Sequence, residues 1–362
     1  MITQSDPYID INELKNIKKI LNSKSLMNND CIEVFEKSIS EYTGANYCVA
    51  VNNATSGIFC CLRSLGVGCG DEVIIPNMTF IATSNAVILA NATPVFCDVS
   101  LDNCCIDPNK IEEKITSKTK AIIIVHLLGM TCDVDAILKI AKKYNLKIIE
   151  DIAQSFGVFI NGTHTGLFGD AGVTSFNTNK IITCDKGGAI ITNDKQIQVS
   201  CRRLRNHGRD TRGGFVHEHV GFNFMMTGLQ AAIGISQMAK LKKIIDKKKK
   251  IYERYCKSFS KIKNIEFFNI GTEETSNYWF SSFIFERKNE LCEFLNKNGV
   301  QTRDFFYPLN MQPCYKSFSE DGSIYENSLF LYNNSLSLPS SFSLTYAQQK
   351  YIIDKILLFY SE

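Results

Sequence analysis

Residues 120–126 read KAIIIVH, with the apolar run Ala121-Ile122-Ile123-Ile124-Val125 unbroken by any polar side chain. A strand presents successive side chains to opposite faces, so such a run needs cover on both sides. That requirement excludes a sheet with one wetted face here and points to a buried, parallel strand. Shorter runs at 46–51 (NYCVAV), 71–76 (DEVIIP), 94–99 and 146–151 (LKIIED) read as its companions. Helical patterns alternate with them at 58–65, 79–89 and 133–144, the last capped by Asp133, and 111–115 reads as part of another helix. The alternation implies an α/β fold with a largely parallel sheet covered by helices.

On the entry side, two amphipathic helices at 14–21 and 31–42 are separated by Asn28-Asn29-Asp30 as break and cap. Beyond the sheet, 196–204 reads as helix, 206–220 as a polar loop, and Thr227 caps a helix running to 239. A long helix at 241–259 then bridges to a strand at 278–286, a helix at 290–298, a segment at 300–315 and a closing helix at 346–360. The expected division is a large domain of residues 1–240 and a smaller C-terminal α+β domain of 241–362.

Charge and cysteine usage narrow the function. A net charge of +3 makes no electrostatic case for nucleic acid. The cluster Lys240, Lys242, Lys243 and Lys247 to Lys250 alternates with Leu241, Ile244, Ile245 and Ile251 and reads as a solvated helix face. The 14 cysteines include no Cys-x-x-Cys pair, and Cys48, Cys60, Cys61 and Cys97 sit in apolar runs, as small buried hydrophobes of a reducing compartment do. With a polar stretch at 1–10 and no run of membrane-spanning length, a cytoplasmic protein is expected. His217-Glu218-His219 lacks further ligands at zinc-like spacing and reads as loop, so no metal is expected. Gly66-Val67-Gly68-Cys69-Gly70 follows a helix and precedes a strand, the reverse of a dinucleotide fingerprint.

Three places carry chemistry. The strand 46–51, the turn Asn52-Asn53-Ala54-Thr55-Ser56-Gly57 and the helix 58–65 form an anion site, because the first N–H groups of a helix are unpaired and Thr55 or Ser56 adds a hydroxyl. Phosphate is the expected guest. Asp151 ends a buried strand, where open α/β sheets place ligands, and its carboxylate needs a cationic or N–H partner there. That partner is either a protonated cofactor ring nitrogen or an Arg or Lys of the core. Lys180 lies between the apolar runs 171–174 and 189–192, in SFNTNKIITCDKGG. Held near the interior, its amine would be acidified enough to form a Schiff base; the plain alternative is an ordinary loop lysine.

In combination these stretches resemble the DegT/DnrJ/EryC1 sugar aminotransferases, a branch of the fold-type I pyridoxal-phosphate enzymes. The strand-and-acid motif is Ile149-Glu150-Asp151-Ile152-Ala153-Gln154. The lysine motif is Ser175-Phe176-Asn177-Thr178-Asn179-Lys180 with Gly187-Gly188-Ala189, and the interface motif is Gly221-Phe222-Asn223-Phe224-Met225-Met226. The resemblance implies pyridoxal 5'-phosphate as cofactor, attached at Lys180, with Asp151 on its ring nitrogen and Gln154 near its ring hydroxyl. It further implies that Thr55, Ser175 and the Ala54 backbone bind the phosphate, that Phe80 stacks on the ring and that Asn223 reaches in from a second subunit of a homodimer. Phe222, Phe224, Met225 and Met226 would form the apolar contact of that dimer.

L-glutamate is the implied amino donor and a nucleotide-linked keto sugar the acceptor. The C-4 enzymes that make perosamine look closest, with Arg303 and Tyr307 in their substrate-contacting segment. Arg303 pairing with a carboxylate such as Asp304 is the alternative for that residue. Gln154 and Arg205-Asn206-His207-Gly208 depart from the perosamine pattern and keep a dTDP- or UDP-linked viosamine-forming activity open. Two further departures are Met225, where arginine is usual, and Ala54-Thr55-Ser56, where Gly-Thr is commoner. A non-catalytic cofactor-binding regulator is the competing class; no appended DNA-binding segment is evident.

Overall fold

The computed structural model describes residues 1–24, 26, 29–209, 215–270, 274–319 and 324–361. Asn28 of the expected break lies outside them, as do residues 210–214 of the polar loop. The chain enters through α1 (Ile11–Asn22), started by an Asp10/Glu13 capping box, and α2 (Asn29–Thr43), which takes Asn29 and Asp30 into its first turn. Next come β1 (Tyr47–Val51), α3 (Ala54–Ser64), β2 (Glu72–Pro76), α4 (Ala82–Leu89), β3 (Thr93–Cys97), β4 (Thr119–Val125), α5 (Val134–Tyr144) and β5 (Lys147–Asp151). A hairpin of β6 (Phe159–Ile160) and β7 (Thr163–His164) precedes β8 (Ala171–Ser175), β9 (Gly188–Thr192), α6 (Lys195–Arg205), α7 (Gly228–Met238) and α8 (Leu241–Phe259). The remainder is β10 (Ile265–Glu266), β11 (Glu274–Thr275), β12 (Ser281–Phe285), α9 (Lys288–Lys297), β13 (Arg303–Asp304), α10 (Glu326–Asn334), β14 (Ser335–Leu338) and α11 (Tyr346–Ser361).

Seven strands form the main sheet in the order β1-β9-β8-β5-β4-β2-β3. Its centre is as the apolar run requires: Ile122, Ile123 and Ile124 of β4 are fully buried between parallel neighbours β5 and β2. The sheet is parallel from β8 to β3, but β9 runs antiparallel to both β8 and β1. Helices α3 and α6 cover β1 and β9 on one side, and α2 packs on β1 as well. Gly188 at the start of β9 is where backbones meet: a Cβ there would fall 2.7 Å from the Asn53 carbonyl carbon and 2.8 Å from Ala54 N. Glycine thus lets β9 abut the start of α3.

A smaller antiparallel sheet, β10-β12-β14-β13, packs with α8, α9 and α11 around Phe283, Phe285, Leu295 and Ile356. The start of the chain closes on it. Ile2 forms a parallel bridge with Val300, donating to the Gly299 carbonyl at 2.8 Å and accepting from Gln301 N–H at 2.9 Å, while the Gln4 carbonyl accepts from Ser340 N–H at 3.1 Å.

Several expectations are corrected. Helix α3 starts at Ala54 rather than 58, because the Asn53 side chain caps it by accepting from Ser56 N–H at 2.9 Å, so Thr55 and Ser56 form its first turn. Helix α4 starts at Ala82, leaving Thr79 and Phe80 in the preceding loop. Residues 111–115 are no α-helix: the short 3₁₀ turns Pro108–Lys110 and Glu112–Lys114 occupy the region. The strand expected at 278–286 is confined to 281–285, since Tyr278 takes a left-handed φ of 52°. The basic cluster is not wholly a solvated face either. Lys240 turns inward to pair with Glu13 (2.7 Å) and Asp10 (2.8 Å), and Lys248 is buried.

Candidate active site

Two adjacent residues at the end of β5 point to opposite faces, as strand geometry dictates. Glu150 faces away from the cavity, where its carboxylate accepts from the N–H groups of Gly166, Phe168 and Gly169, each at 2.7 Å, and lies 3.0 Å from His126 Nε2. Asp151 lines a cavity of about 250 Å³. Its Oδ2 accepts from the Thr83 hydroxyl at 2.8 Å and its Oδ1 from Ala153 N–H at 3.1 Å. Burial raises its pKa, against the pull of those two bonds and of the Lys180 charge. Among the described residues no cation lies within ion-pair distance of Asp151, so the core salt bridge weighed as its alternative is not formed.

Lys180 stands on the β8–β9 connection. That loop is pinned by Phe176, whose N–H donates to the Gly187 carbonyl (2.9 Å) and whose carbonyl accepts from Cys184 N–H (2.9 Å), while its ring packs on Phe35 and Phe156. The turn at 177–180 closes with Lys180 N–H donating to the Asn177 carbonyl at 2.9 Å. Burial lowers the Lys180 amine to about 8, with Asp151 opposing and Arg303 reinforcing the shift. An amine so placed carries a larger neutral fraction near neutral pH than an exposed loop lysine, the form that a nucleophile or proton carrier needs.

Opposite these groups, Ala54 and Thr55 bring the start of α3 to the cavity wall. Asn53 engages the N–H groups of Ser56 and Gly57, leaving those of Ala54 and Thr55 without a chain partner among the described residues. With the Thr55 and Ser175 hydroxyls on the same wall, the donor set suits a phosphate.

Of the residues singled out from sequence, Ala54, Thr55, Phe80, Asp151, Gln154, Ser175, Lys180 and Arg303 all line this cavity. Gln154 accepts from Leu128 N–H at 2.9 Å, and Phe80 is 55% exposed, outside the core. Arg303 makes no carboxylate pair among the described residues; its guanidinium lies 5.2 Å from the Phe280 ring centroid, and Asp304 pairs instead with Lys288 at 2.8 Å. Two residues fall elsewhere. Tyr307 is off the wall, edge-on to Tyr332 at 5.1 Å, and Asn223 is exposed on a bridge to Asn206. The apolar motif beside Asn223 is only partly covered within its own chain: Met226 is buried and Phe224 and Met225 are half-buried, while Phe222, edge-on to Phe59 as Phe224 is, stays exposed.

Sequence reasoning missed Thr83 and Trp279, the second of which carried a signal as the sole tryptophan of the chain. A larger open groove, about 700 Å³, between α1 and α7 is lined by Lys15, Lys18 and Lys19 and contains none of these groups.

An acidified amine, a buried acid without a cation and a free helix start, all within one small cavity at the carboxyl end of a parallel sheet, suit a phosphorylated ring with a basic nitrogen. That is the arrangement of the pyridoxal-phosphate transferases. The DegT/DnrJ/EryC1/StrS aminotransferase family matches residues 7–357, and the chain belongs to that family of pyridoxal-phosphate-dependent sugar aminotransferases. It is 35% identical over 334 residues to GDP-perosamine synthase of Escherichia coli O157:H7, covering 91% of this chain and 90% of that one. The Vibrio cholerae GDP-perosamine synthase is 32% identical, with 88% and 89% covered. The PLP form of Spr1654 of Streptococcus pneumoniae superposes with a TM-score of 0.93 at 26% identity over 99% of this chain and 98% of that one, and its PMP form with the same TM-score at 25% identity over 100% and 99%. Among the described residues no helix is long and apolar enough to cross a membrane.

Proposed function

We propose that the chain transfers the amino group of L-glutamate to C-4 of a nucleotide-linked 4-keto-6-deoxyhexose, with GDP-4-keto-6-deoxymannose as acceptor and GDP-perosamine as product. The observation that carries this reading is Arg303, without a carboxylate partner among the described residues, on the same small cavity wall as Lys180 and Asp151. A planar guanidinium suits the diphosphate of a nucleotide sugar. The GDP-perosamine synthases among its relatives favour the guanine nucleotide.

Lys180 would hold the cofactor, Asp151 its ring nitrogen, Gln154 its ring hydroxyl, Phe80 its ring face, and Ala54, Thr55 and Ser175 its phosphate. When bound, pyridoxal phosphate supplies an electron sink for the carbon that loses its proton. Asp151, buried without a cation among the described residues, would keep a proton on the ring nitrogen. Lys180 would also take the proton from the donor carbon, and its lowered pKa puts a useful neutral fraction at working pH. Arg303 would orient the acceptor.

Comparing kcat/KM for GDP-4-keto-6-deoxymannose with the dTDP- and UDP-linked 4-keto-6-deoxyglucose acceptors tests the substrate. The GDP sugar is expected to lead by about tenfold or more, roughly 1.4 kcal/mol of transition-state preference. If it is the poorest of the three, the viosamine-forming reading replaces this one.

We propose further that the enzyme works as a pair of copies, a reading supported by Asn223, which is exposed and off its own chain's cavity. A homodimer in which Asn223 completes the neighbouring phosphate site follows, with cofactor retention weakened about tenfold in Asn223→Ala. A fully active monomer in sedimentation would exclude it.

A further inference from the structure

Lys180 Nζ lies 4.3 Å from the centroid of the Trp279 ring. The indole N–H of that same side chain donates to the Asn179 carbonyl at 2.6 Å. One side chain thus touches both the amine and the backbone immediately before it. Trp279 is in turn held from several elements. Its N–H donates to Asn277 Oδ1 at 3.0 Å, and Asn277 Nδ2 donates to the carbonyls of Gln154 (2.9 Å) and Phe156 (3.1 Å) in the loop after β5. Its carbonyl accepts from Lys248 Nζ at 2.8 Å, and Lys248 gives a second bond to the Ser340 carbonyl at 2.8 Å. A buried lysine satisfied only by neutral carbonyls is an expensive clamp, acidified by burial to about 7. Packing completes the hold, with the Trp279 ring stacked on Phe280 at 3.9 Å.

We propose that Trp279 is the positioning residue of Lys180, fixing the amine against the cavity wall and screening it from water. The inference rests on the reading of Lys180 as the cofactor-bearing amine. The charged groups around that amine are Asp151, Arg303 and Lys186 on the wall, with Lys248 on the backbone carbonyl of Trp279. The ring acts in two opposed ways. Its face attracts an ammonium, and its bulk removes water from it. Burial is the largest cause of the amine's acidification, and the indole covers one side of it.

Because Trp279 is the sole tryptophan, its emission reports on this one place. In the full-length chain freed of cofactor, emission is expected to step near pH 8 and to lose that step in Lys180→Met. A step that persists in Lys180→Met, or that vanishes only in Lys248→Met, overturns the contact. A second measurement follows the acetylation of Lys180 against pH by peptide mass spectrometry. Trp279→Ala is expected to raise the midpoint by about one unit or more, and Trp279→Phe, which keeps a ring, to restore most of the shift. An unchanged midpoint in Trp279→Ala overturns the assignment. Should Trp279→Ala fail to fold, Trp279→Phe decides: a midpoint raised as far as that of a Lys180 open to water refutes the role of the ring. No sugar or amino donor enters either measurement, so failure of the substrate assignment is read separately.

Discussion

Lys180→Ala is expected to fold, to retain cofactor without a covalent link and to lose amino transfer by about 10⁴-fold or more. The loss is large because one amine performs two tasks, holding the cofactor and moving the proton, and nothing else on the cavity wall replaces it: Lys186 is engaged with Asn177 Oδ1 at 2.9 Å. Borohydride should fix the cofactor to the peptide containing Lys180 in the parent chain and to none in the variant. Labelling of another lysine would remove the assignment. The pH dependence has a definite sign. A protonated amine is no nucleophile, so capture of added cofactor should accelerate as pH rises through about 8 and level off above it. A capture rate flat between pH 7 and 9 would show that Lys180 keeps an ordinary lysine pKa.

The second large effect is expected at Asp151. Asp151→Asn preserves the shape and the Thr83 contact but removes the charge, and turnover should fall by about 10²–10³-fold. Stability should move the other way. In the cofactor-free chain the carboxylate is buried without a cation, and burial raises its pKa, so its ionised form is disfavoured by folding. The urea midpoint of cofactor-free Asp151→Asn should therefore equal or exceed that of the parent. A variant retaining turnover within about threefold would reject the electrostatic role, whereas one that simply unfolds would mark Asp151 as structural. This opposition between stability and activity is characteristic of sites that hold a charge for a ligand.

What could be read from the chain divides along physical lines. The run at 120–126 declared its burial because a strand covered on both faces leaves no polar alternation; Asp151 stood out because it ends a buried strand, and Lys180 because it lies on the connection between two apolar runs. Direction was not: the apolar residues of β9 look alike whichever way the strand runs, so its antiparallel course was invisible. Helix starts were misplaced where a cap decides them, as with Asn53, whose role depends on the Ser56 N–H rather than on hydropathy. Lys248 read as surface charge because helical spacing says nothing of what lies opposite, in this case the Trp279 and Ser340 carbonyls. Tyr307 and Arg303 lie close in sequence, yet only Arg303 reaches the cavity wall, a distinction made by Tyr332 from a distant helix.

The pairing of Ile2 with Val300 and of Gln4 with Ser340 has a temporal side. On a ribosome making roughly 5–20 residues per second, the segment carrying Ile2 emerges about 15–60 s before its partners exist. During that interval the main sheet can assemble from residues already made, while the opening stretch waits unpaired. Its docking onto the smaller sheet is therefore a late event of synthesis, one that records the arrival of the last part of the chain.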